Sequence, residues 1–160
     1  SGSPTGDVEV DGNTYLKVGW GGYNDDDHYG WYGEYVDNPG IAVYGYDSTG
    51  GYSEVQRSYL YDDYGRDALF EFGIENGRYL VTVGVGRPAR GYPNDPHNLS
   101  IEGQHVVDDH ITTDSEPVLE ASATVDLTDG SISLEMGGRA TSTGEWSYTF
   151  VAYMIIEPVD

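Results

Sequence analysis

The chain is divided into short apolar runs by glycine-containing turn signals, and this pattern restricts it to an all-β fold. Its 160 residues include 23 glycines, and Asn-Gly, Asp-Gly and Asn-Pro dipeptides recur at short intervals. No segment keeps a helical period over the length of an ordinary helix. From Arg78 to Val85, one tyrosine and three valines alternate with other side chains, which is the period of a strand with one buried face.

The spacing of the turn signals predicts about nine short strands, as in a β-sandwich. The clearest are Tyr15–Val18, Ile41–Tyr46, Ala68–Phe72, Arg78–Val85, Asn98–Ile101, Ser122–Leu127, Ser131–Met136 and Thr149–Ile156. Because the last of these is apolar on both faces, we predict that it lies in the middle of a covered sheet. Two turns, Glu75-Asn76-Gly77 and Thr128-Asp129-Gly130, have the residues of tight connections, so we predict a β-hairpin at each. The predicted core contains Tyr79, Val81, Val83, Ile132, Leu134, Phe150 and Ile156.

The composition indicates a single, strongly acidic domain. The sequence has 28 Asp and Glu against 7 Lys and Arg, a formal net charge of −21. Such a surface repels phosphate backbones and anionic lipid, which argues against nucleic acid and membrane as partners. There is no cysteine, so disulfides and thiolate metal sites are excluded. We predict one β-sandwich domain over residues 8–160. We interpret residues 1–7 as the remnant of a Gly/Ser/Pro linker within a multi-domain chain. We expect that chain to be secreted and monomeric.

Residues 20–64 combine aromatic rings with carboxylates, and they are the main indication of function. Ten of the 15 tyrosines lie here. A ring of this kind covers the apolar face of a pyranose, while Asp, Asn and His side chains bond the hydroxyls, so the segment favours a glycan-binding surface. The alternative is that the rings tuck beneath the sandwich and the acids are solvated. The candidate ligand contacts are Tyr23, Asn24, Asp26, His28, Tyr29, Trp31 and Tyr32.

Two further regions contribute candidate contacts. The loop RPARGYPNDPHN, residues 87–98, contains Arg87, Arg90 and Tyr92, and a later glycine-flanked loop contains Trp146. The two arginines would either donate to sugar hydroxyls or pair with neighbouring acids. The run Asp25–Asp27 offers clustered oxygens to a calcium ion, although its spacing differs from that of an EF-hand loop.

Four segments carry a family resemblance, namely FEFGIENGRYLVTVGVG, HNLSIEGQHVVDD, VDLTDGSISLEMGG and TFVAYMIIEP. They resemble strands and hairpins of malectin-like and related galactose-binding-like modules of carbohydrate-active enzymes, over roughly residues 67–157. The resemblance implies a two-sheet jelly-roll sandwich that binds sugars through loops at one end or edge. It also implies attachment to a glycoside hydrolase, lyase or esterase. A structural calcium near the chain ends is a further implication, with Glu9, Asp11 and Asp160 as its possible ligands.

These features together predict a non-catalytic carbohydrate-binding module that keeps an attached secreted enzyme on its polysaccharide. We expect a neutral polysaccharide, because a polyuronate or sulfated chain would be repelled by the acidic surface. Two alternatives remain open: a small polysaccharide lyase or esterase, and a calcium-stabilised adhesive domain of a cell-surface protein. No G-x-S-x-G or H-E-x-x-H motif occurs, and acids are so frequent that a carboxylate pair would arise by chance. We therefore predict no catalytic residues.

Overall fold

The computed structural model describes residues 6–36, 38, 42–48, 50–62, 66–89 and 96–160. In these ranges the chain forms twelve strands and one helical turn. The strands are β1 (Val8–Val10), β2 (Asn13–Tyr15), β3 (Tyr29–Tyr32), β4 (Ala42–Tyr46), β5 (Ser58–Asp62), β6 (Ala68–Gly73), β7 (Gly77–Gly86), β8 (His97–Ile101), β9 (Gln104–His110), β10 (Val118–Leu127), β11 (Ser131–Met136) and β12 (Phe150–Pro158). The helical turn α1 (Glu54–Arg57) begins with a capping box between Ser53 and Gln56. No helix among the described residues is long and apolar enough to cross a membrane.

Ten of these strands form two antiparallel five-stranded sheets around one core. The first sheet has the order β10-β7-β12-β5-β4 and the second has the order β3-β6-β11-β8-β9, while β1 and β2 pair separately. Alternate side chains of both sheets enter the core: Val81 and Val83 of β7 are fully buried, as are Ile132 of β11 and Ile101 of β8. The prediction of an all-β, two-sheet antiparallel sandwich is confirmed.

Most predicted core positions are confirmed. Five of the seven are buried, and Tyr79 and Ile156 are partly buried and pack against the core from its margin. The prediction for the last strand also holds, since β12 is the third of the five strands in the first sheet. The prediction of a strand over Tyr15–Val18 is wrong beyond its first residue, because β2 ends at Tyr15.

The two predicted hairpins are wrong, because both turns cross from one sheet to the other. Strand β6 pairs with β11 in the second sheet, and β7 pairs with β10 in the first. The two corners lie side by side: the Ile74 N–H donates to Gly130 O at 2.9 Å, and the Asn76 amide donates to Thr128 O at 3.2 Å. A turn signal specifies only that the chain reverses, whereas the strand partner depends on which sheet buries the next apolar face.

Candidate ligand-binding groove

Two of the predicted stacking rings face the core. Trp31 is 3% exposed. Its ring packs against Phe70 and Trp20, and its Nε1 donates to Gly19 O at 2.7 Å. Tyr29 is half-buried and stacks on Phe72. Because β3 pairs Trp31 with Phe70 and Tyr29 with Phe72, all four rings share the inward face. The assignment of Trp31 as a ligand contact is wrong, and Tyr29 also serves the core.

Tyr32, the residue after Trp31 on β3, points outward and forms an aromatic pair with Tyr23 at the surface. Tyr32 is 46% exposed. The ring of Tyr23 stacks on it with a centroid distance of 5.5 Å and an interplanar angle of 17°. Desolvation raises the pKa of the Tyr32 hydroxyl, and Tyr23, Glu71 and Asp25 nearby raise it further. Of the four candidate Tyr and Trp contacts in this segment, Tyr23 and Tyr32 form a stacked pair at the edge of the second sheet.

The polar residues next to this pair build a loop of their own. The Asn24 side-chain oxygen accepts from the backbone N–H of Asp26 at 3.2 Å and of Asp27 at 2.8 Å, and its amide donates to the Asp27 carboxylate at 3.0 Å. His28 closes the loop through its N–H to Asn24 O. The hydrogen-bonding groups of Asn24 are thus engaged in the loop, while Asp26 and His28 are exposed beside it. None of the three lines the groove described next.

The outer face of the second sheet carries one residue from each of its five strands in a continuous register row. Its members are Tyr32, Leu69, Glu135, Ser100 and His105, each directly opposite the next. Their neighbours along the strands, such as Phe70 and Leu134, are buried, so side-chain alternation places the row on the outside. Four strand spacings give the row a length of about 19 Å.

Two shallow, adjoining hollows lie along this row, and together they are called the groove. A hollow of about 400 Å³ is lined by Tyr32, Leu69 and neighbouring residues. A hollow of about 210 Å³ is lined by Ser100, His105 and neighbouring residues that include Asn98 and Arg139. Asp67 and Glu135 line both hollows. The groove therefore follows the register row, with Asp67 along one side.

The carboxylates on this face divide into engaged and free groups. Glu71 accepts hydrogen bonds from the hydroxyls of Ser131 and Ser133, and Glu102 accepts from the Ser133 N–H at 2.5 Å. In contrast, Glu135 and Asp67 accept no hydrogen bond and join no ion pair within the described part of the chain. Both are exposed. The two acceptors that line the groove are thus available to hydroxyl groups of a ligand.

An arm formed by residues 138–146 flanks the groove. The guanidinium carbon of Arg139 lies 4.0 Å from the centroid of the Trp146 ring, and Arg139 donates to Gly144 O at 2.8 Å. Trp146 is 45% exposed, so this predicted contact lies at the surface near the Arg139 end of the groove. Arg139 forms no ion pair with a carboxylate in the described ranges, although four other arginines do.

Asp109 anchors the arm to β9. Its carboxylate accepts from the backbone N–H of Thr141 at 3.0 Å and of Ser142 at 2.6 Å, and from the side chain of Asn98 at 2.9 Å. Hydrogen bonds from Ser142, Asn98 and Thr141 hold the pKa of Asp109 well below its usual range. The arm leaves β11 through Gly138, where φ is +79° and a Cβ atom would lie 2.4 Å from the Asp67 carboxylate. Glycine is needed there because it allows both the left-handed backbone and the close approach.

Arg87 pairs with a neighbouring acid, as in the alternative drawn from the sequence, and its contact with a ligand stays a prediction. Arg87 donates to both oxygens of Asp47, from Nε at 3.0 Å and from Nη2 at 2.6 Å. Its guanidinium also lies over the Tyr59 ring at 4.9 Å. Asp47 is only 6% exposed, so it needs this partner. Arg90 and Tyr92 lie outside the described residues.

The predicted calcium ligands do not come together. Within the described ranges, no three His, Asp or Glu side chains form a group that would hold a metal ion. Glu9 lies in β1, Asp11 lies in the turn after it with φ of +51°, and Asp160 follows β12. The three residues do not form such a group in the described ranges, and their binding of calcium stays a prediction. Calcium binding by other groups stays a prediction.

Apart from Tyr32, the residues that line the groove were missed by reasoning on aromatic clusters. A usable signal was present in β11, where Ser131, Ser133 and Glu135 alternate with Ile132 and the other buried positions. The outward face of a strand is as visible in the sequence as its inward face. Which outward residues become neighbours across strands depends on the pairing, which the sequence pattern did not reveal.

Comparison with known proteins establishes the fold. No protein-family model matches the sequence, and no curated protein matches it. The structure is similar to the ANXUR1 extracellular domain from Arabidopsis thaliana (TM-score 0.64, 13% identity, covering 97% of this chain and 46% of that chain). It is also similar to the plant receptor-like kinase FER (TM-score 0.63, 11% identity, covering 99% and 39%) and to a Bacillus subtilis protein (TM-score 0.55, 20% identity, covering 97% and 40%).

The chain has a malectin-like fold. The resemblance inferred from the strand motifs is thereby confirmed at the level of the β-sandwich. The chain spans less than half the length of each of the three proteins it resembles. At these identities the likeness concerns the fold, and the function has to be argued from the groove.

Proposed function

We propose that this domain is a non-catalytic carbohydrate-binding module and that the groove binds a polysaccharide. The observation that supports the proposal most is the presence of an exposed ring and two free acceptors in one groove. Tyr32 offers apolar contact area to the C–H face of a sugar ring. Glu135 and Asp67 lack hydrogen-bond donors within the described residues and would accept from sugar hydroxyls. Arg139 would donate at the other end.

The charge of the groove favours a neutral polysaccharide. Glu135 and Asp67 line it, and Glu71 lies beside it on β6, in a protein with a formal net charge of −21. A polyuronate or sulfated chain would bring a negative charge against these carboxylates with nearly every repeat, whereas a neutral glycan would not. Among the described residues that line the groove, Arg139 is the single opposing cation.

We further propose that the module is extracellular and keeps an attached secreted enzyme on its substrate. The extracellular domain to which the fold is similar supports the location. We propose a structural role for any calcium that the module binds. Polysaccharide binding measured with and without a chelator tests whether the module uses calcium.

Affinity electrophoresis in gels of several neutral and anionic polysaccharides tests the proposal. We expect weak retention by a neutral polysaccharide, with a dissociation constant of roughly 10⁻⁵–10⁻³ M. Tyr32→Ala and Glu135→Gln should each reduce the affinity about tenfold, the size expected for one stacking ring or one charged acceptor. The matched control is Tyr44→Ala, because Tyr44 is 69% exposed on β4 of the first sheet, away from the groove.

Several outcomes would contradict the proposal. An equal loss of retention in Tyr44→Ala would show that the groove is not the site. Tight binding of a polyanion at low salt, in the presence of a chelator, would overturn the proposed preference for a neutral polysaccharide. It would indicate Arg139 as the residue that recognises the ligand. Release of reducing ends or of unsaturated products from the retained polysaccharide would mean that Asp67 and Glu135 act as a catalytic pair, so the module would not be non-catalytic.

A further inference from the structure

The register row has the geometry of an extended binding site rather than of a pocket. Its residues follow one another across all five strands of the second sheet, from Tyr32 on β3 to His105 on β9. At about 4.8 Å per strand, the row is about as long as three to four pyranose rings joined end to end. The groove along it is shallow and has two adjoining hollows.

Both ends of the row lie at sheet edges. Strands β3 and β9 are the outermost strands of the second sheet, and Tyr32 and His105 are both exposed. Tyr23, whose ring stacks on Tyr32, prolongs the row outward at the β3 edge. A linear ligand in the groove would therefore continue past the sheet in both directions.

The chemistry changes along the row in a way that suits successive sugar units. One end is aromatic, with Tyr32 followed by the aliphatic Leu69, and the middle is the free carboxylate of Glu135. The other end offers the Ser100 hydroxyl and the His105 ring. His105 Nε2 lies 3.1 Å from Asn98 Oδ1, which also accepts the Asp109 N–H. This nitrogen is therefore the donor. His105 Nδ1, on the other side of the ring, lies 4.0 Å from the Asp108 carboxylate, so the exposed ring brings a second carboxylate acceptor to this end of the row.

We infer that the groove takes an interior stretch of a linear polysaccharide, about four sugar units long, laid across the strands and extending beyond both edges of the second sheet. This rests on the proposed function and adds the mode of binding to it. Recognition of a chain end would require a closed wall at one end of the groove. Recognition of a single sugar would require only one of the two hollows.

Calorimetry with oligosaccharide ladders tests the inference. The probes are cello-, xylo- and manno-oligosaccharides from disaccharide to hexasaccharide, each also in a form reduced to the alditol at the chain end. In the series that binds, we expect the affinity to rise with each unit up to about the tetrasaccharide and then to level off. Reduction of the chain end should leave hexasaccharide binding unchanged within about twofold, since an interior stretch is bound.

Variants at the two ends of the row provide the second measurement. Tyr32→Ala and His105→Ala should each weaken hexasaccharide binding about three- to tenfold, and because the residues are about 19 Å apart the two effects should be independent in the double variant. Melting temperatures of the variants are measured alongside, and Tyr44→Ala is again the control. If His105→Ala alters the fold, His105→Gln provides a polar replacement of similar reach.

The failure of this inference is distinguishable from that of the proposed function. Disaccharide binding as tight as hexasaccharide binding, or sensitivity to only one of the two end variants, would overturn the extended interior mode and leave sugar binding intact. Loss of hexasaccharide binding on reduction of the chain end would assign chain-end recognition instead. Absence of binding to every ladder and every polysaccharide gel would overturn the proposed function itself.

Discussion

Asn98 and Asp109 exchange two hydrogen bonds between β8 and β9. The Asn98 amide donates to the Asp109 carboxylate at 2.9 Å, and the Asp109 backbone N–H donates to the Asn98 side-chain oxygen at 3.0 Å. Asp109 holds this position with φ of +47°, a left-handed conformation that Asp tolerates better than most residues. The pair links the second sheet to the arm that carries Arg139 and Trp146.

Asp109→Asn should loosen the arm and lower the melting temperature in a pH-dependent way. Because the pKa of Asp109 is lowered in the folded state, the ionised carboxylate stabilises the fold at pH values above its unfolded pKa of about 3.9. This contribution is lost as the pH falls below that value. The melting temperatures of wild type and variant should therefore differ at pH 7, and the difference should shrink progressively as the pH falls below about 4.

Asp108→Asn is the matched control for this prediction. Asp108 precedes Asp109 and accepts one hydrogen bond from the Thr141 hydroxyl at 2.7 Å, without the backbone contacts that Asp109 makes. It should change the melting temperature much less. A difference for Asp109→Asn that stays constant down to pH 2 would show that its ionisation is not what holds the arm.

His97 should make the protein less stable in mild acid. Its side chain is 3% exposed, and its Nδ1 accepts the Phe150 N–H at 3.3 Å. Burial, together with the neighbouring His110, lowers the pKa of His97 to about 4. Since an unfolded histidine titrates near about 6.5, the unfolded state binds a proton first and stability falls between about pH 6.5 and pH 4, by at most roughly 3 kcal/mol.

Denaturant titrations at several pH values measure this dependence. His97→Asn keeps a hydrogen-bond acceptor in a similar position but does not titrate, so its stability should change less with pH over the same interval. His28→Asn, at an exposed position, should retain the pH dependence of the wild type. An unchanged slope in His97→Asn would show that His97 is not the group responsible.

Arg87→Ala should destabilise the fold without weakening sugar binding. The substitution leaves the Asp47 carboxylate buried, with the Ala89 N–H at 3.0 Å as a remaining donor, and removes the stacking on Tyr59. A loss of about 3 kcal/mol is expected for breaking a buried pair of this kind. Arg78→Ala removes an exposed pair with Asp126 at 3.7 Å and should change the unfolding free energy by no more than about 0.5 kcal/mol.

Retention on polysaccharide gels is the second measurement for Arg87→Ala, made at a temperature where the variant is folded. The structure places Arg87 against Asp47 rather than in the groove, so retention should equal that of the wild type. A selective loss of retention in a folded Arg87→Ala variant would show that Arg87 belongs to the binding site.

Alanine substitution of two adjacent aromatic residues on β3 should affect different properties, stability for Trp31 and polysaccharide binding for Tyr32. Trp31→Ala removes a core ring and should lower the unfolding free energy by about 3–5 kcal/mol. Tyr32→Ala removes an exposed ring and should lower it by about 1 kcal/mol or less, while reducing polysaccharide retention. Chemical denaturation and gel retention of the two variants, measured together, check the assignment of faces. A Trp31→Ala variant that is stable but fails to bind the polysaccharide would reverse the assignment of Trp31 to the core and Tyr32 to the groove.

The sequence by itself determined the fold class and most inward-facing positions of the strands. The alternation from Tyr79 to Val85 and that from Ile132 to Met136 are local patterns, and burial of apolar surface acts on each strand directly. The glycine-containing turns likewise indicated where the chain reverses direction. For this reason the sandwich, its central strand β12 and most of its core were predictable.

Only the tertiary structure decided which strands pair and which outward residues meet. The turns after β6 and β10 have hairpin residues, yet each crosses to the opposite sheet, because strand pairing is set by long-range burial and not by the turn. Trp31 and Tyr32 are neighbours in the sequence, and the pairing of β3 with β6 alone places one in the core and the other in the groove. The row from Tyr32 to His105 spans residues that are 73 positions apart in the chain, and this alignment arises from strand register, which no local pattern encodes.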